Sequence, residues 1–223
     1  MTYRRLGKVP GAAIEGDEPA VTHEPSHAVL ARQRFREWLQ EEDPGGLDVI
    51  GLDLSGADLS GGDFSESWFT DTKMVDIKLI GSDLYRSHAE GADLSGADLT
   101  EASLVRVNFD DALLRGANLD RADLVKSSLC DVDASGASLR GTRIMGASLL
   151  DVNLSGADLS NAILQENSFK VKLDHDTILR GMTGTIFGPV QLFDRGVIRE
   201  VGGAELERWI QEKGGEVRVL PKR

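Results

Sequence analysis

Only one of the 223 residues is cysteine, Cys130, so no internal disulfide can form and no thiolate cluster can hold a metal. Aromatic residues make up just 5% of the chain. A globular core for a chain of this length normally uses more large rings, whereas a narrow interior lined by leucine and alanine does not need them. Positive charge is in deficit, with 25 Lys and Arg against 37 Asp and Glu and a net charge of −12. A surface built for phosphate backbones has the opposite balance, so direct nucleic-acid binding is not expected. No stretch approaches the roughly 18 consecutive apolar residues of a membrane span. The opening MTYRRLGKVPGAAIEGDEPAVTHEP has two arginines but no apolar run behind them. It does not read as a secretory signal, and the expected compartment is the cytoplasm.

The signatures of common chemistry are missing as well. There is no G-x-x-x-x-G-K-[ST], no G-x-S-x-G and no dinucleotide fingerprint in a strand–helix setting. The four histidines, His23, His27, His88 and His175, have no metal-ligand spacing, and Asp174-His175-Asp176 reads as a polar loop. Cys130 has no base in its own unit to lower its pKa and reads as inert. No enzymatic activity, cofactor or metal is expected.

What is present is a period of five. Stepping by five from Leu54 through Leu99, Leu119 and Leu149 to Phe169 meets 24 apolar residues in succession, of which 16 are Leu and 4 are Phe. Two places before each, small residues dominate, eleven of them Ala. Asp or Asn often stands between, as in Ala57-Asp58-Leu59 and Ala117-Asn118-Leu119, and Ser-Gly often closes the unit, as at Ser55-Gly56. Five matches neither the 3.6 of a helix nor the 2.0 of a strand. The chain must therefore turn in every unit, with the large and small residues inside and three residues outside, and each unit is stable only when stacked on its neighbours.

This pattern resembles the pentapeptide-repeat family, whose unit is A-[DN]-L-x-x, over roughly residues 47–173. The resemblance implies a β solenoid, a right-handed quadrilateral β-helix with four units to a coil. Dividing 24 units by four gives about six coils, and with backbones ~4.8 Å apart the rod is about 29 Å long. With no insertion between 54 and 169, no long loop is expected to project from it.

The ends differ from the middle. Residues 1–25 read as a flexible tail. Residues 26–46 read as a capping helix over 27–42, with Ser26 as N-cap, Ala31, Phe35, Trp38 and Leu39 on one face, and Pro44-Gly45-Gly46 as the stop. Residues 174–223 read as a small α+β module. A single further repeat falls at Thr177-Ile178-Leu179, a β-hairpin over 184–201 turns near Asp194–Gly196, a helix covers 204–213, and Glu216–Leu220 forms a last strand. This module can cap the rod, form a homodimer or carry a site.

Four units to a coil place residues 20 apart on top of one another. Asp71, Asp111, Asp131 and Asp151 then share a column interrupted only by Gly91, and Glu90 and Asp110 lie in the next. The preceding face carries a column of Arg86, Arg106 and Lys126. Like charges 5 Å apart repel by roughly 0.8 kcal/mol even in water. On one reading Arg106 and Lys126 partly neutralise Asp111 and Asp131 across the corner. On the other, the six carboxylates form an acidic face for a basic protein partner. The remaining aspartates, such as Asp58, Asp98 and Asp158, read as turn residues. The chain therefore reads as a non-enzymatic protein-binding scaffold or adaptor. The family resemblance supplies the alternative, a DNA-mimicking binder of type II topoisomerase (DNA gyrase) acting in inhibition or drug resistance.

Overall fold

The turn expected in every unit is a β-turn with its third residue left-handed. In the computed structural model, which describes residues 26–41, 45–194 and 196–221, the core residue of a unit accepts a hydrogen bond from the amide three places on. Examples are Ala57 N to Leu54 O at 3.1 Å and Ala102 N to Leu99 O at 3.0 Å. The residue before the donor has a positive φ, +70° at Gly56 and +66° at Gly136. That combination defines a type II turn, and it is why glycine recurs at this one place in the repeat.

Between turns, single residues bridge in parallel to the residue 20 further on. One chain of bridges runs Asp58–Lys78–Asp98–Asn118–Ser138–Asp158–Ile178, and another Trp68–His88–Asn108–Ser128–Ser148. Four five-residue units therefore complete each circuit, and the molecule is a β solenoid. The 24 residues of the five-residue step, all large except Ala89 and Ala134, point inward and are buried, as are the residues two places before them wherever these are Ala or Val. The Asp or Asn between them faces out and bonds its own turn. Asp58 Oδ1 accepts from Ser60 N at 3.2 Å, and Asn118 Oδ1 from Asp120 N at 3.0 Å. These aspartates are the Asx-turn residues the sequence suggested.

Hydroxyls at the small inner position bond either to the neighbouring coil, as Thr72 Oγ1 does to Val49 O at 2.7 Å, or within their own turn. Ser82, Ser127 and Thr142 each donate to the carbonyl three residues back, at 2.6–2.8 Å. The side chain of Asn167 accepts from Ala147 N at 2.9 Å and donates to Ile144 O at 2.7 Å, standing in for a missing backbone rung. Ser87 is the exception among the described residues, buried with no partner for its hydroxyl. Alanine is the usual residue at this position, so Ser87→Ala is expected to raise the unfolding free energy by about 1 kcal/mol. A urea titration reads this as a higher midpoint; a lower midpoint contradicts the packing assigned here.

Helix α1, His27–Gln40, begins at Ser26, whose hydroxyl accepts from Val29 N at 3.4 Å. Its buried Ala31 and Phe35 face the first coil, where Trp38 stacks on Phe64 at a centroid distance of 5.8 Å and Phe35 meets the same ring tilted at 6.5 Å. Trp38 Nε1 donates to Gly45 O at 2.8 Å, which fixes the helix over the solenoid's open end. The tail expected at residues 1–25 and the Pro44 stop lie outside the described residues.

Toward the other end the bridges lengthen into strands: β1 Arg143–Met145, β2 Ser148–Asn153, β3 Ile163–Asp174, β4 Thr183–Phe187, β5 Val190–Asp194, β6 Val197–Val201 and β7 Glu216–Leu220, with α2 at Gly203–Glu212. Strands β1 and β2 pair in parallel with β3, and the sheet order continues β6-β5-β3-β4-β7. Two sequence expectations are corrected here. Stacking does not end near Asp174, because β3 carries β4 and β5 in parallel on its far side, and β4 in turn carries β7. The hairpin is formed by β5 and β6 alone, while 183–187 is a separate strand of the stack. The five-residue pattern was lost because the coil shortens: Leu150 pairs with Lys170, but Val152 pairs with Val171, and Asp151 is left as a bulge. The further unit at Thr177–Leu179 is present, with Ile178 bridged to Asp158 and Leu179 buried. The hairpin turn includes Arg195, which lies outside the described residues.

Candidate functional site

One face of the solenoid lies over the core residues Phe69, Ala89, Phe109, Leu129 and Leu149. Its outer side carries two columns, Trp68, His88, Asn108, Ser128 and Ser148 in the first and Thr70, Glu90, Asp110, Cys130 and Leu150 in the second. The two flanking corners are the positive-φ positions. Arg86, Arg106 and Lys126 occupy the corner before the face, at φ of +57°, +61° and +58°. Asp71, Asp111, Asp131 and Asp151 occupy the corner after it, at +56°, +62°, +58° and +59°. The acidic column is held in place by the ladder, with Asp71 N bonded to Glu90 O, Asp111 N to Cys130 O and Asp131 N to Leu150 O, all at 2.8–2.9 Å.

The structure divides the six predicted acidic residues into three groups. Glu90 and Asp110 are tied into the face. Glu90 accepts from Thr70 Oγ1 at 3.1 Å and Asn108 Nδ2 at 2.7 Å and lies 3.0 Å from His88 Nδ1. Burial pushes the Glu90 carboxyl up, but the hydrogen bonds of His88, its own backbone and Thr70 outweigh this and hold it below its ordinary value. Asp110 accepts from Ser128 Oγ at 2.6 Å and Cys130 N at 2.9 Å. Asp151, the bulged residue, pairs with Lys170 at 2.8 Å, and that hydrogen bond raises the lysine's pKa. Asp71, Asp111 and Asp131 remain exposed and, among the described residues, in no ion pair. These three form the free acidic edge.

Among the described residues no ion pair forms across the corner. Arg106 and Lys126 form no ion pair with Asp111, Asp131 or any other described residue, although Arg115, Arg121, Arg140, Arg143, Lys78 and Lys170 all do. The face has Asp71, Asp111 and Asp131 unpaired among the described residues along one edge and Arg106 and Lys126 unpaired along the other, while Arg86 meets Glu66 at 3.9 Å.

Backbone geometry explains half of this arrangement. Aspartate tolerates the left-handed region better than most non-glycine residues, so an aspartate column at this corner has a conformational reason. Arginine and lysine have no such local advantage. Sequence reasoning placed Arg86, Arg106 and Lys126 in a column but missed that each sits where glycine is favoured. The signal was the Gly of Ser-Gly, which recurs at the same offset.

Other chemistry is not assembled. Among the described residues, no group of three His, Cys, Asp or Glu side chains is placed to hold a metal. Asp174 folds its own loop, accepting from Gly156 N and Thr177 N at 3.0 and 2.9 Å, and the His175 carbonyl accepts from Lys213 Nζ at 2.6 Å. Cys130 is half-buried, with its sulfur 3.4 Å from Ser148 Oγ. No described helix is long and apolar enough to cross a membrane.

A family model described as pentapeptide repeats matches eight copies, over residues 77–116, 108–144 and 127–165. Comparison with curated proteins finds no significant match. Among solved structures, the chain is similar to HetL, a pentapeptide repeat protein involved in heterocyst differentiation regulation from the cyanobacterium Nostoc sp. strain PCC 7120. The two share 24% identity over 74% of each chain, with a TM-score of 0.60, which supports the fold. Looser likenesses are to the pentapeptide repeat protein Rfr23 from the cyanobacterium Cyanothece 51142 (21% identity, 66% of this chain and 97% of that one, TM-score 0.41). QnrB1, a plasmid-mediated fluoroquinolone resistance protein, is comparable (20% identity, 59% and 71%, TM-score 0.40).

Proposed function

Given that the chain is a pentapeptide-repeat protein, we propose that it acts without catalysis, as a scaffold that docks a protein partner on the face bounded by Asp71, Asp111 and Asp131. The observation that carries this reading is the set of exposed carboxylates left unpaired in a column of fixed spacing. A rigid ladder holds them there, so a partner that meets them loses little entropy in ordering this side. Of the six predicted residues, Glu90 and Asp110 shape the face and Asp151 is already paired. The basic partner therefore reads Asp71, Asp111 and Asp131.

The fuller architecture proposed is a right-handed quadrilateral β-helix of about six coils, with α1 closing one end and α2 with the β5–β6 hairpin closing the other. The proposed compartment is the cytoplasm. If the chain forms a homodimer, the β5–β6 hairpin is where it would do so, since Phe193, Val197 and Ile198 are 46%, 63% and 63% exposed there.

The alternative, DNA mimicry toward a type II topoisomerase, is favoured by the acidic column and by the 20-residue register that holds from Asp48 as far as Leu150. The free basic edge along the same face counts against it, because a phosphate-like surface has no use for Arg106 and Lys126. The two readings separate experimentally. Affinity capture from bacterial extract with wild type and with Asp111→Lys/Asp131→Lys is expected to show a protein retained by the first and weakened about tenfold or more by the second. Equal retention by both removes the acidic edge from the account. Inhibition or drug protection of DNA gyrase in a supercoiling assay, lost in the variant, would identify the partner as the topoisomerase.

A further inference from the structure

The basic edge differs from the rest of this surface. Arg86, Arg106 and Lys126 are exposed and stacked at successive coils, in a chain whose net charge is −12. The columns on either side of them carry no carboxylate at these levels: Tyr85, Val105, Val125 and Met145 lie on one side, and His88, Asn108 and Ser128 on the other. The ladder bonds Arg86 N to Val105 O at 3.1 Å, Arg106 N to Val125 O at 2.9 Å and Lys126 N to Met145 O at 2.9 Å, so the cationic and apolar columns are locked in register. Tyr85, Val105, Val125 and Met145 are all half-buried and present their outer sides to solvent. Arg86 lies over the Tyr85 ring at 5.3 Å and reaches Glu66 only at 3.9 Å, while Arg106 and Lys126 have no ion pair among the described residues. The result is a cationic stripe beside an apolar stripe, both running along the solenoid axis.

We propose that this double stripe docks an amphipathic helix of a partner protein, one that carries an acidic row beside an apolar row and lies along the rod. Charge complementarity sets the sign of the partner, and spacing sets its conformation. The rungs repeat every ~4.8 Å. A helix returns a given side to the same surface every ~5.4 Å, a mismatch of about 0.6 Å per rung. An extended strand returns a side chain to the same face only every ~6.7 Å, a mismatch of about 1.9 Å per rung. Over the two intervals from Arg86 to Lys126 the mismatch grows to about 1.2 Å for a helix and about 3.8 Å for a strand, so the helix keeps the better register. Carboxylates three and four residues apart on the helix meet Arg86, Arg106 and Lys126 in turn, and the neighbouring apolar row packs on Val105, Val125 and Met145. This surface is separate from the acidic edge and takes the opposite charge.

The test uses the full chain and a labelled helical peptide of about 20 residues, long enough to hold helix in water. Its glutamates occupy positions spaced three and four apart beside a parallel row of leucines. A control peptide of the same composition has the glutamate row moved to the side opposite the leucines. In fluorescence anisotropy at low salt, the first peptide is expected to bind wild type saturably and to bind Arg106→Gly/Lys126→Gly about tenfold more weakly or worse. Glycine is the favoured residue at these left-handed corners, so that variant is expected to melt at or above the wild-type temperature, which separates lost binding from lost fold. The control peptide is expected to bind more weakly than the first, and Asp111→Lys/Asp131→Lys not to weaken the first peptide at all. Absence of saturable binding to wild type, equal affinity for the glycine variant, or equal affinity for the control peptide would each overturn the proposal.

Discussion

Leu119→Arg is expected to abolish the folded rod. Leu119 is 1% exposed and stacks between Leu99 and Leu139, which are 0% and 3% exposed. The surroundings supply no carboxylate, so a guanidinium placed there is buried and unpaired, at a cost of several kcal/mol. The coil cannot widen to let it reach water, because Leu99 N bonds Asn118 O and Leu119 N bonds Ser138 O, both at 2.7 Å. In a solenoid each coil is supported only by its neighbours, so a broken middle coil leaves two short stacks with open ends. Circular dichroism should show loss of the cooperative transition, whereas Leu119→Ala should retain it and lose about 2–5 kcal/mol. A normal melt for the arginine variant would mean that residue 119 does not face inward and that the five-residue register is misassigned.

Gly184→Ala is the second large effect. Gly184 has φ +124° and pairs with Leu164, and a Cβ built on it would lie 1.6 Å from the Leu164 carbonyl oxygen. That oxygen is backbone and cannot rotate away. Strand β4 would have to leave β3, and β7, which rests on β4, would lose its support. A loss of about 3 kcal/mol or more is expected, together with fast hydrogen exchange over residues 183–187 and 216–220. Gly136→Ala provides the contrast, since Gly136 has φ +66° and open space where the Cβ would go. It should cost only the left-handed penalty of about 1 kcal/mol. Equal losses in the two variants would mean that β4 does not sit against β3 at this register.

The solenoid was legible because its signal is redundant: a misread Ala89 or Met74 leaves 22 other core positions in phase. The N-terminal helix was legible from Ser26 and the Phe35–Trp38 face. The C-terminal strands were not, because one coil there is a residue short. Asp151 drops out of the stacking, so the five-residue comb no longer falls on Leu173 and Leu192, although both are buried on the same axis. The column positions of the charges could be read from the repeat, but their partners could not. Lys170 against Asp151 depends on the bulge, and Ser128 and Cys130 against Asp110 depend on side-chain direction between coils. The left-handed corners explain the aspartate column partly as geometry, and the same fact makes the arginines and lysine beside it the less expected residues.

The proposed docking surface is this face of the rod, bounded by its two charged edges. The single cysteine lies in the middle of it, which permits a direct measurement. A photo-crosslinker attached to Cys130 is compared with one attached through Thr100→Cys in a Cys130→Ser background, since Thr100 lies two five-residue units away around the coil. The Cys130 probe is expected to crosslink a discrete protein, Asp111→Lys/Asp131→Lys is expected to remove this product, and the probe at position 100 is expected not to form it. The same product from position 100, or its persistence in the charge-reversed variant, would contradict docking on this face.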